Sequence, residues 1–197
     1  MLELATLVAA LQEPQPYTAP EILVTAAARA QEPLEAPWST DVRDQTDLAG
    51  YPRTLSDGLF GLPSVMLQKT AHGQSSPFIR GFTGFRTLLL VDGVRLNHAA
   101  MREGPNQYWA TVDLHSVERL ELVRGPSSVL YGSDAIGGTV NAVSRAAPLG
   151  RQGAGIEFGG RTFVRLASAE NSATTRAELS VSGNGNWGLL GGVTVSD

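Results

Sequence analysis

The stretch between residues 75 and 145 constrains the fold more than any other part of this sequence. It contains apolar or alternating runs of strand length, and a Gly, Pro or Asp that can turn the chain stands between them. Asp92-Gly93 lies between the apolar runs 88–91 and 94–96. Asp-Gly at such a place predicts a tight hairpin, because glycine accepts a positive φ without a steric clash.

The run 117–123 also has a strand pattern. Leu120 and Leu122 share one parity, while Arg119 and Glu121 take the other, which predicts a half-buried strand. Other strands are predicted at residues 65–68, 78–80, 87–91 and 139–143. Short helical segments are predicted at residues 54–60 (with Ser56 or Asp57 as the N-cap and Pro63 ending it), 113–116 and 127–131 (with Ser127 as the N-cap). The segments 39–47 and 69–76 are predicted to be a polar linker and a polar loop.

After Pro148 the sequence changes to longer alternating segments. One parity is apolar and the other mainly polar, and Phe163 breaks the pattern. Strands of about ten residues with one apolar and one polar side are typical of a transmembrane barrel. The spacing predicts three such strands. A soluble β-sandwich with one wet face is the alternative that this pattern leaves open.

Composition excludes several classes of function. The chain lacks cysteine, so a disulfide framework, a cysteine-bound zinc and a thiol nucleophile are all excluded. The net charge of −4 disfavours nucleic acid as a partner. No run of about 20 apolar residues is present that would form a membrane-spanning helix. His72, His98 and His115 lack metal-ligand spacing, and no Gly-x-Ser-x-Gly or phosphate-binding pattern is found. We therefore predict no catalytic site, no enzyme activity and no cofactor.

Four segments in this order resemble the plug domain of TonB-dependent outer-membrane receptors: residues 77–82, 91–95, 117–126 and 130–141. The resemblance covers about residues 20–148. It implies an α+β plug, built from a small mixed β-sheet with short helices and long loops, followed by the first antiparallel strands of a transmembrane β-barrel. The implied division of the chain is a truncated signal peptide and Pro-rich arm (1–19), a linker (20–50), the plug (51–148) and about three barrel strands (149–197).

The resemblance also implies a TonB box within the linker. Its residues are Glu21, Ile22, Leu23, Val24, Thr25 and Ala26. Such a β-favouring segment can add as a strand to the sheet of a partner. The implied partner is the C-terminal domain of TonB, which works with ExbB and ExbD. An ordinary first strand of the domain is the alternative for this segment, and a frayed amphipathic turn is the alternative for the signal-like residues 1–10.

Arg80 and Arg124 each stand just before a glycine at a predicted strand end. An enclosed guanidinium needs carboxylate or carbonyl partners, because burying it unpaired is costly. The resemblance implies that both arginines lock the plug to glutamates of the barrel wall. Pairing inside the plug is the alternative, with Glu118, Glu121 or Asp92 as partners.

The long polar loop 97–109 is the predicted ligand-facing region. Its candidate apical ligand contacts are Asn97, His98, Arg102, Tyr108 and Trp109. Tyr108 and Trp109 either stack on a ligand or anchor the loop, and for Trp109 a position in the core is favoured. The resemblance also makes His98 a candidate ligand of haem iron, since neutral imidazole binds iron well.

The function implied by the resemblance is active transport of a scarce nutrient across the cell outer membrane, with the plug inside the barrel lumen and the N-terminal arm in the periplasm. Ferric siderophore or haem is the expected cargo, ahead of cobalamin and carbohydrate. The other expected partners are a missing C-terminal barrel and outer-membrane lipid. A soluble periplasmic or cell-surface ligand-binding module without transport is the alternative.

Overall fold

The computed structural model describes residues 38–48, 52–71, 73–100, 103–105, 108–150, 153, 155–168 and 171–197. The predicted signal-like segment, the Pro-rich arm and the TonB box lie outside these residues. The described chain forms a mixed α+β domain up to about Pro148 and then a separate antiparallel sheet. None of its helices is long and apolar enough to cross a membrane.

A five-stranded mixed sheet forms the centre of the first domain, in the order β1-β6-β7-β4-β5. Only β4 and β7 pair in parallel. The strands are β1 (Ser39–Arg43), β4 (Thr87–Val91), β5 (Val94–Arg95), β6 (Val117–Arg124) and β7 (Gly138–Ser144). A separate hairpin pairs β2 (Val65–Ala71) with β3 (Gln74–Ile79). The predicted fold class and all five internal strands are confirmed, with shifted ends.

Two predicted irregular segments are in fact regular. The segment expected to be a linker forms β1 and a short helix α1 (Gln45–Leu48), and the segment expected to be a polar loop supplies the end of β2 and the start of β3 in the β2–β3 hairpin. Both corrections have the same cause. Backbone pairing with a neighbouring strand stabilises these polar, half-exposed residues, and a local sequence pattern does not report that pairing.

The prediction that β6 is half-buried is wrong, since both faces of its C-terminal half are covered. Leu120 and Leu122 belong to the main core, and Glu121, on the opposite face, is fully buried. Arg119 Nε donates to Glu121 Oε1 at 2.8 Å, which compensates the buried carboxylate. Burial, with the nearby charge of Glu121, raises the pKa of Tyr131 to about 12. The strand is enclosed because the segment around Tyr131 covers the face away from the main core.

Two tight turns lie at positions where the sequence has a glycine. Asp92 and Gly93 have φ of 50° and 77°, and Arg80 and Gly81 have φ of 51° and 82°. Two successive positive φ values match the right-handed twist of a hairpin. The Asp92-Gly93 hairpin is therefore confirmed, while Arg80 occupies a turn position that Asn, Asp or Gly normally takes.

The segment predicted as a helix at 54–60 is a 3₁₀ helix (Leu55–Leu59) whose N-cap is Thr54, not Ser56 or Asp57. The Asp57 side chain accepts from the backbone N–H groups of Thr54 and Arg53 at 2.9 and 3.1 Å. It also pairs with Lys69 Nζ at 2.8 Å. The other short helices are the 3₁₀ helices Gly84–Arg86, Tyr108–Thr111 and Leu114–Ser116 and the α-helix α2 (Ser128–Tyr131). Ser127 caps α2 by position, but its hydroxyl bonds Thr139 instead.

We expect Asp57→Asn to destabilise the first domain by about 1 kcal/mol at pH 7, since it weakens this cap. Burial alone would raise the pKa of Asp57, but its bonds from Lys69, Thr54 and Arg53 outweigh burial and lower it below the ordinary 3.8. A lowered carboxyl pKa contributes stability above the ordinary value and loses it as the pH falls through the folded value. The difference in thermal unfolding midpoint between parent and variant should therefore shrink below pH 3.8. A constant difference from pH 7 to pH 3 would contradict this.

The second sheet is a meander in the order β10-β9-β8, built from β8 (Ile156–Ala167), β9 (Ser172–Gly183) and β10 (Trp187–Ser196). One face is apolar and exposed, and its large side chains are Ile156, Phe158, Val164, Leu166, Leu179, Leu189, Val193 and Val195. The opposite, polar face lies against the first domain. Phe163, which broke the sequence pattern, is on this inner face and packs on His115. The three predicted alternating strands are thus confirmed.

Candidate functional site

The two predicted lock arginines lie close together at one end of the mixed sheet. Arg124 Nη2 pairs with Asp41 Oδ2 at 2.6 Å, and its Nη1 donates to the carbonyl of Pro63 at 2.9 Å. The partner inside the domain is therefore Asp41 on β1, not Glu118, Glu121 or Asp92. Sequence reasoning could not find Asp41 because β1 was assigned to a linker.

Arg80 differs from Arg124 in being exposed. Its backbone N–H donates to the carbonyl of Ser64 at 2.9 Å, next to the Pro63 carbonyl that Arg124 uses. A β-carbon placed on Gly125 would lie 2.7 Å from Arg80 Nη1, so this glycine makes room for the guanidinium. Arg80 thus presents a positive charge at the surface beside the paired Arg124.

Two predicted ligand contacts of the long loop are structural instead. Trp109 is fully buried in the main core, where no ligand can reach it. Asn97 is also buried. Its side chain accepts from the N–H of Leu89 at 3.1 Å and donates to the carbonyl of Thr87 at 3.0 Å, which ties the loop to β4. The core position favoured for Trp109 is therefore confirmed, and Asn97 is too buried to contact a ligand.

His98 and Tyr108 remain available at the surface of this loop. The His98 side chain is exposed, and its Nδ1 accepts from the N–H of Ala100 at 3.2 Å. The half-buried Tyr108 meets it edge-on, with 6.1 Å between ring centroids. Arg102 lies outside the described residues. No group of three His, Asp or Glu residues that could hold a metal ion is found in the described part of the chain.

The strongest concentration of charge lies between the first domain and the second sheet. We call it the junction cluster and define it as Gln45, Asp113, Arg145, Arg161, Arg176 and Glu178. Arg176 on β9 is its centre. Its Nη1 donates to Asp113 Oδ2 at 2.8 Å, and its Nη2 donates to Glu178 Oε2 at 2.9 Å. The side chains of Arg176 and Glu178 are only 7% and 3% exposed.

Two residues of the neighbouring strand β10 pack around the cluster. Thr194 on β10 donates to Asp113 Oδ2 at 2.7 Å and accepts from Arg176 Nη1 at 3.0 Å. A β-carbon on Gly192 would lie 2.7 Å from Arg176 Nη2, so this glycine leaves space for the guanidinium. The arginine is therefore held by its own strand, by β10 and by the first domain at once.

A second branch of the cluster runs through Glu178 to the first domain. Glu178 Oε1 pairs with Arg145 Nε at 3.3 Å, and its Oε2 lies 3.6 Å from Arg161 Nη2. The amide oxygen of Gln45 accepts from both Arg145 and Arg161. The cluster thus joins α1, the segment after β7 and the turn before β6 to strands β8 and β9.

An aromatic contact lies beside these charges. The ring of His115 packs on Phe163, with 4.7 Å between centroids. Burial lowers the pKa of His115; the charge of Asp113 opposes this, and the charges of Arg176, Arg161 and Arg165 add to it. The imidazole is therefore neutral at pH 7, which suits a stacked position among arginines.

The junction cluster was missed by sequence reasoning, although a signal for it existed. Arg176 and Glu178 lie at polar positions of the alternating strand β9, and Arg161 lies at a polar position of the alternating strand β8. Charges on the inner face of such a sheet require partners. The partner residues come from three distant segments, so only the folded structure identifies them.

Comparison with known proteins decides the family. A sequence model described as TonB-dependent Receptor Plug Domain matches residues 32–139, more than half of the chain. The chain belongs to this family. Its plug is the mixed domain described above, including β1 and the buried Trp109.

The relatives and solved structures agree with the family. The chain is 41% identical over 131 residues to the iron-regulated outer membrane virulence protein of Vibrio cholerae, and 32% identical over 144 residues to the vitamin B12 transporter BtuB of Photobacterium profundum. These matches cover 63% and 71% of the chain, but only 20% and 23% of the relatives. The fold resembles the pyoverdine receptor FpvA of Pseudomonas aeruginosa, with a TM-score of 0.69, 19% identity, and coverage of 89% of this chain and 24% of FpvA.

Proposed function

We propose that this chain is the gating plug and the first wall strands of a TonB-dependent transporter in the outer membrane. Because it spans about a fifth of the curated relatives it matches, the proposal concerns a longer receptor polypeptide that contains these residues. One observation carries it: the sheet β8–β10 turns its charged face to the plug and its apolar face outward. We call this three-stranded sheet the wall sheet.

The outward face of the wall sheet suits lipid contact. Leu166, Leu179 and Phe158 are at least 72% exposed, and they alternate with the inner charged positions. A transmembrane strand has this two-residue alternation. Open sheet edges are not tolerated in hydrocarbon, because unpaired backbone groups there are costly. The wall sheet is therefore complete only when further strands close it.

TonB coupling is assigned to the segment Glu21–Ala26. It precedes β1, which is an edge strand of the plug sheet and is bound to β6 along Ser39–Arg43. A pull on the segment would reach β1 before the other described strands and act on the Arg124–Asp41 pair across β1 and β6. This arrangement supports the transfer of force from TonB, with ExbB and ExbD, to the plug.

Arg80 supports a second contact with the receptor wall. Its exposed guanidinium, packed on Gly125, is free to meet a carboxylate approaching from outside the plug. Arg124 is already paired with Asp41. We therefore assign the lock to glutamates of the later wall mainly through Arg80, with Arg124 as its neighbour.

The proposed cargo is a ferric siderophore, with haem as the alternative iron source. The iron-regulated name of the Vibrio cholerae relative supports iron, while the BtuB relative keeps cobalamin as a further candidate. The exposed His98 and the half-buried Tyr108 beside it are the loop residues that we assign to cargo contact.

The test is uptake by the complete receptor in cells with and without TonB. Cells receive radiolabelled ferric siderophores, haemin or cyanocobalamin, and accumulation is measured beside binding to the cell surface. We expect accumulation of an iron compound only with TonB, and binding in both strains. Equal accumulation without TonB, or a receptor that remains soluble and does not shift its gel mobility on heating, would contradict the proposal.

A further inference from the structure

The junction cluster joins the plug to the wall sheet through ion pairs centred on the buried Arg176 and Glu178, whereas the side chain of Asp113 is 36% exposed. Its plug side consists of Asp113, Gln45 and Arg145, and its wall side of Arg176, Glu178 and Arg161. Each side loses partners when the other is removed, although Arg176 keeps Glu178 on its own strand. Arg176 and Glu178 are nine-tenths buried or more, so separation would expose this pair to water and leave Asp113 without its guanidinium.

The hydrogen bonds of Asp113 fix the orientation of its carboxylate as well as pairing its charge. Asp113 uses its two carboxylate oxygens differently: Oδ1 accepts from the N–H of His115 and caps the turn before β6, while Oδ2 accepts from Arg176 and Thr194. Charge-assisted bonds of this kind are about twice as strong as neutral ones. The capped turn therefore fixes where the carboxylate points, and the wall sheet meets it with two donors.

This cluster is separate from the lock arginines. Arg124 lies opposite Ser39 and Gly138 in the sheet register, whereas the junction cluster contacts the other end of the same strands, near Val117 and Arg145. The wall partners of Arg80 would come from later strands. Both halves of the junction cluster lie within the 197 residues of this chain.

We propose that the junction cluster is a second plug–wall lock, which docks the plug on the first three wall strands independently of Arg80 and Arg124. The inference rests on the proposed assignment of β8–β10 as wall. Asp113 is its plug-side docking residue and Arg176 its wall-side residue. The lock holds the turn before β6 against the wall sheet. This part of the plug therefore stays bound to the wall when TonB pulls on the edge strand β1.

A single cysteine can report on the docking, because the chain has none of its own. Thr174 faces the plug from β9 and is 7% exposed, so Thr174→Cys should react slowly with a charged, water-soluble maleimide in the complete receptor. Adding Asp113→Asn removes the charge that Arg176 binds, and we expect the labelling rate to rise about tenfold or more. Thr194→Val, which removes one donor to Asp113, should give a smaller rise, about threefold.

Glu118→Gln is the matched control. It removes one carboxylate charge from an exposed position on β6, and labelling should stay within twofold of the parent. If Asp113→Asn does not assemble, Thr194→Val decides the question.

Three results would overturn the lock. They are labelling within twofold of the parent in both junction variants, an equal rise in Glu118→Gln, and parent labelling as fast as in urea-unfolded receptor. Heat-shifted gel mobility and TonB-dependent uptake are scored on the same samples. Loss of the labelling effect with intact uptake refutes the lock alone, whereas a parent receptor that does not assemble in the membrane refutes the proposed function.

Discussion

Leu23→Pro in the complete receptor is expected to reduce TonB-dependent uptake to the level of cells without TonB, while cargo binding stays within twofold. Proline removes a backbone donor from the segment that would add as a strand to TonB, and its fixed φ hinders pairing on both sides. The proposed cargo contacts are in the loop 97–109 and not in this segment, so binding should not change. The measurement is uptake and surface binding of the same radiolabelled cargo.

The matched control for this variant is Ala19→Pro. It adds a proline to the same arm, outside Glu21–Ala26 and beside Pro20. Uptake by the control should remain at the parent level. If Leu23→Pro transports normally, another segment couples the receptor to TonB; if Ala19→Pro also loses uptake, the arm as a whole is sensitive to proline.

Trp109→Ala is expected to lower the free energy of unfolding of the plug by about 3–5 kcal/mol, because it removes the largest fully buried side chain of the core. Trp109→Phe should lose much less, since the ring keeps much of its packing. The indole N–H finds no acceptor among the described residues, so no hydrogen bond is lost there. Hydrogen exchange of the amides in β6 and β7 of the detergent-solubilised receptor measures the difference.

The same pair of variants tests whether Trp109 in the loop 97–109 is buried or contacts cargo. A buried Trp109 cannot touch cargo, so Trp109→Phe should bind cargo within twofold of the parent. A large loss of cargo affinity in Trp109→Phe, with unchanged exchange, would place the indole at the ligand instead. That result would contradict the structure of this loop.

The parts of the fold that the sequence predicts are those with strong local chemistry. Asp92-Gly93 predicts its hairpin because the two residues suit the required positive φ, and alternation predicts β8–β10 because one face avoids water and the other binds the plug. β1 was missed because the signal for Ser39–Arg43 lies in its partner β6. Glu121 was misplaced because alternation reports one apolar face, but not whether the other face is covered.

For the candidate sites too, the sequence indicates some of the residues, whereas their contacts depend on the folded structure. Its place before a glycine at a predicted strand end singled out Arg124, yet its partner Asp41 depended on a strand that the sequence did not indicate. Asn97 and Trp109 look like loop residues suited to a ligand, but tertiary packing uses both of them to fix the loop. The junction cluster required Asp113 and Arg176 to come together across 63 positions of sequence.

A spin-label scan along β9 in the complete receptor, reconstituted in lipid, tests most directly whether β8–β10 is a membrane wall closed by the plug. Single labels at residues 173–181 are compared for collision with oxygen, which concentrates in lipid, and with a water-soluble nickel complex. Positions 173, 175, 177 and 179 should collide with oxygen, while positions 174, 176 and 178 should be shielded from both reagents by the plug. Nickel contact at the odd positions, or no alternation along the strand, would show that this sheet is not a membrane wall closed by a plug.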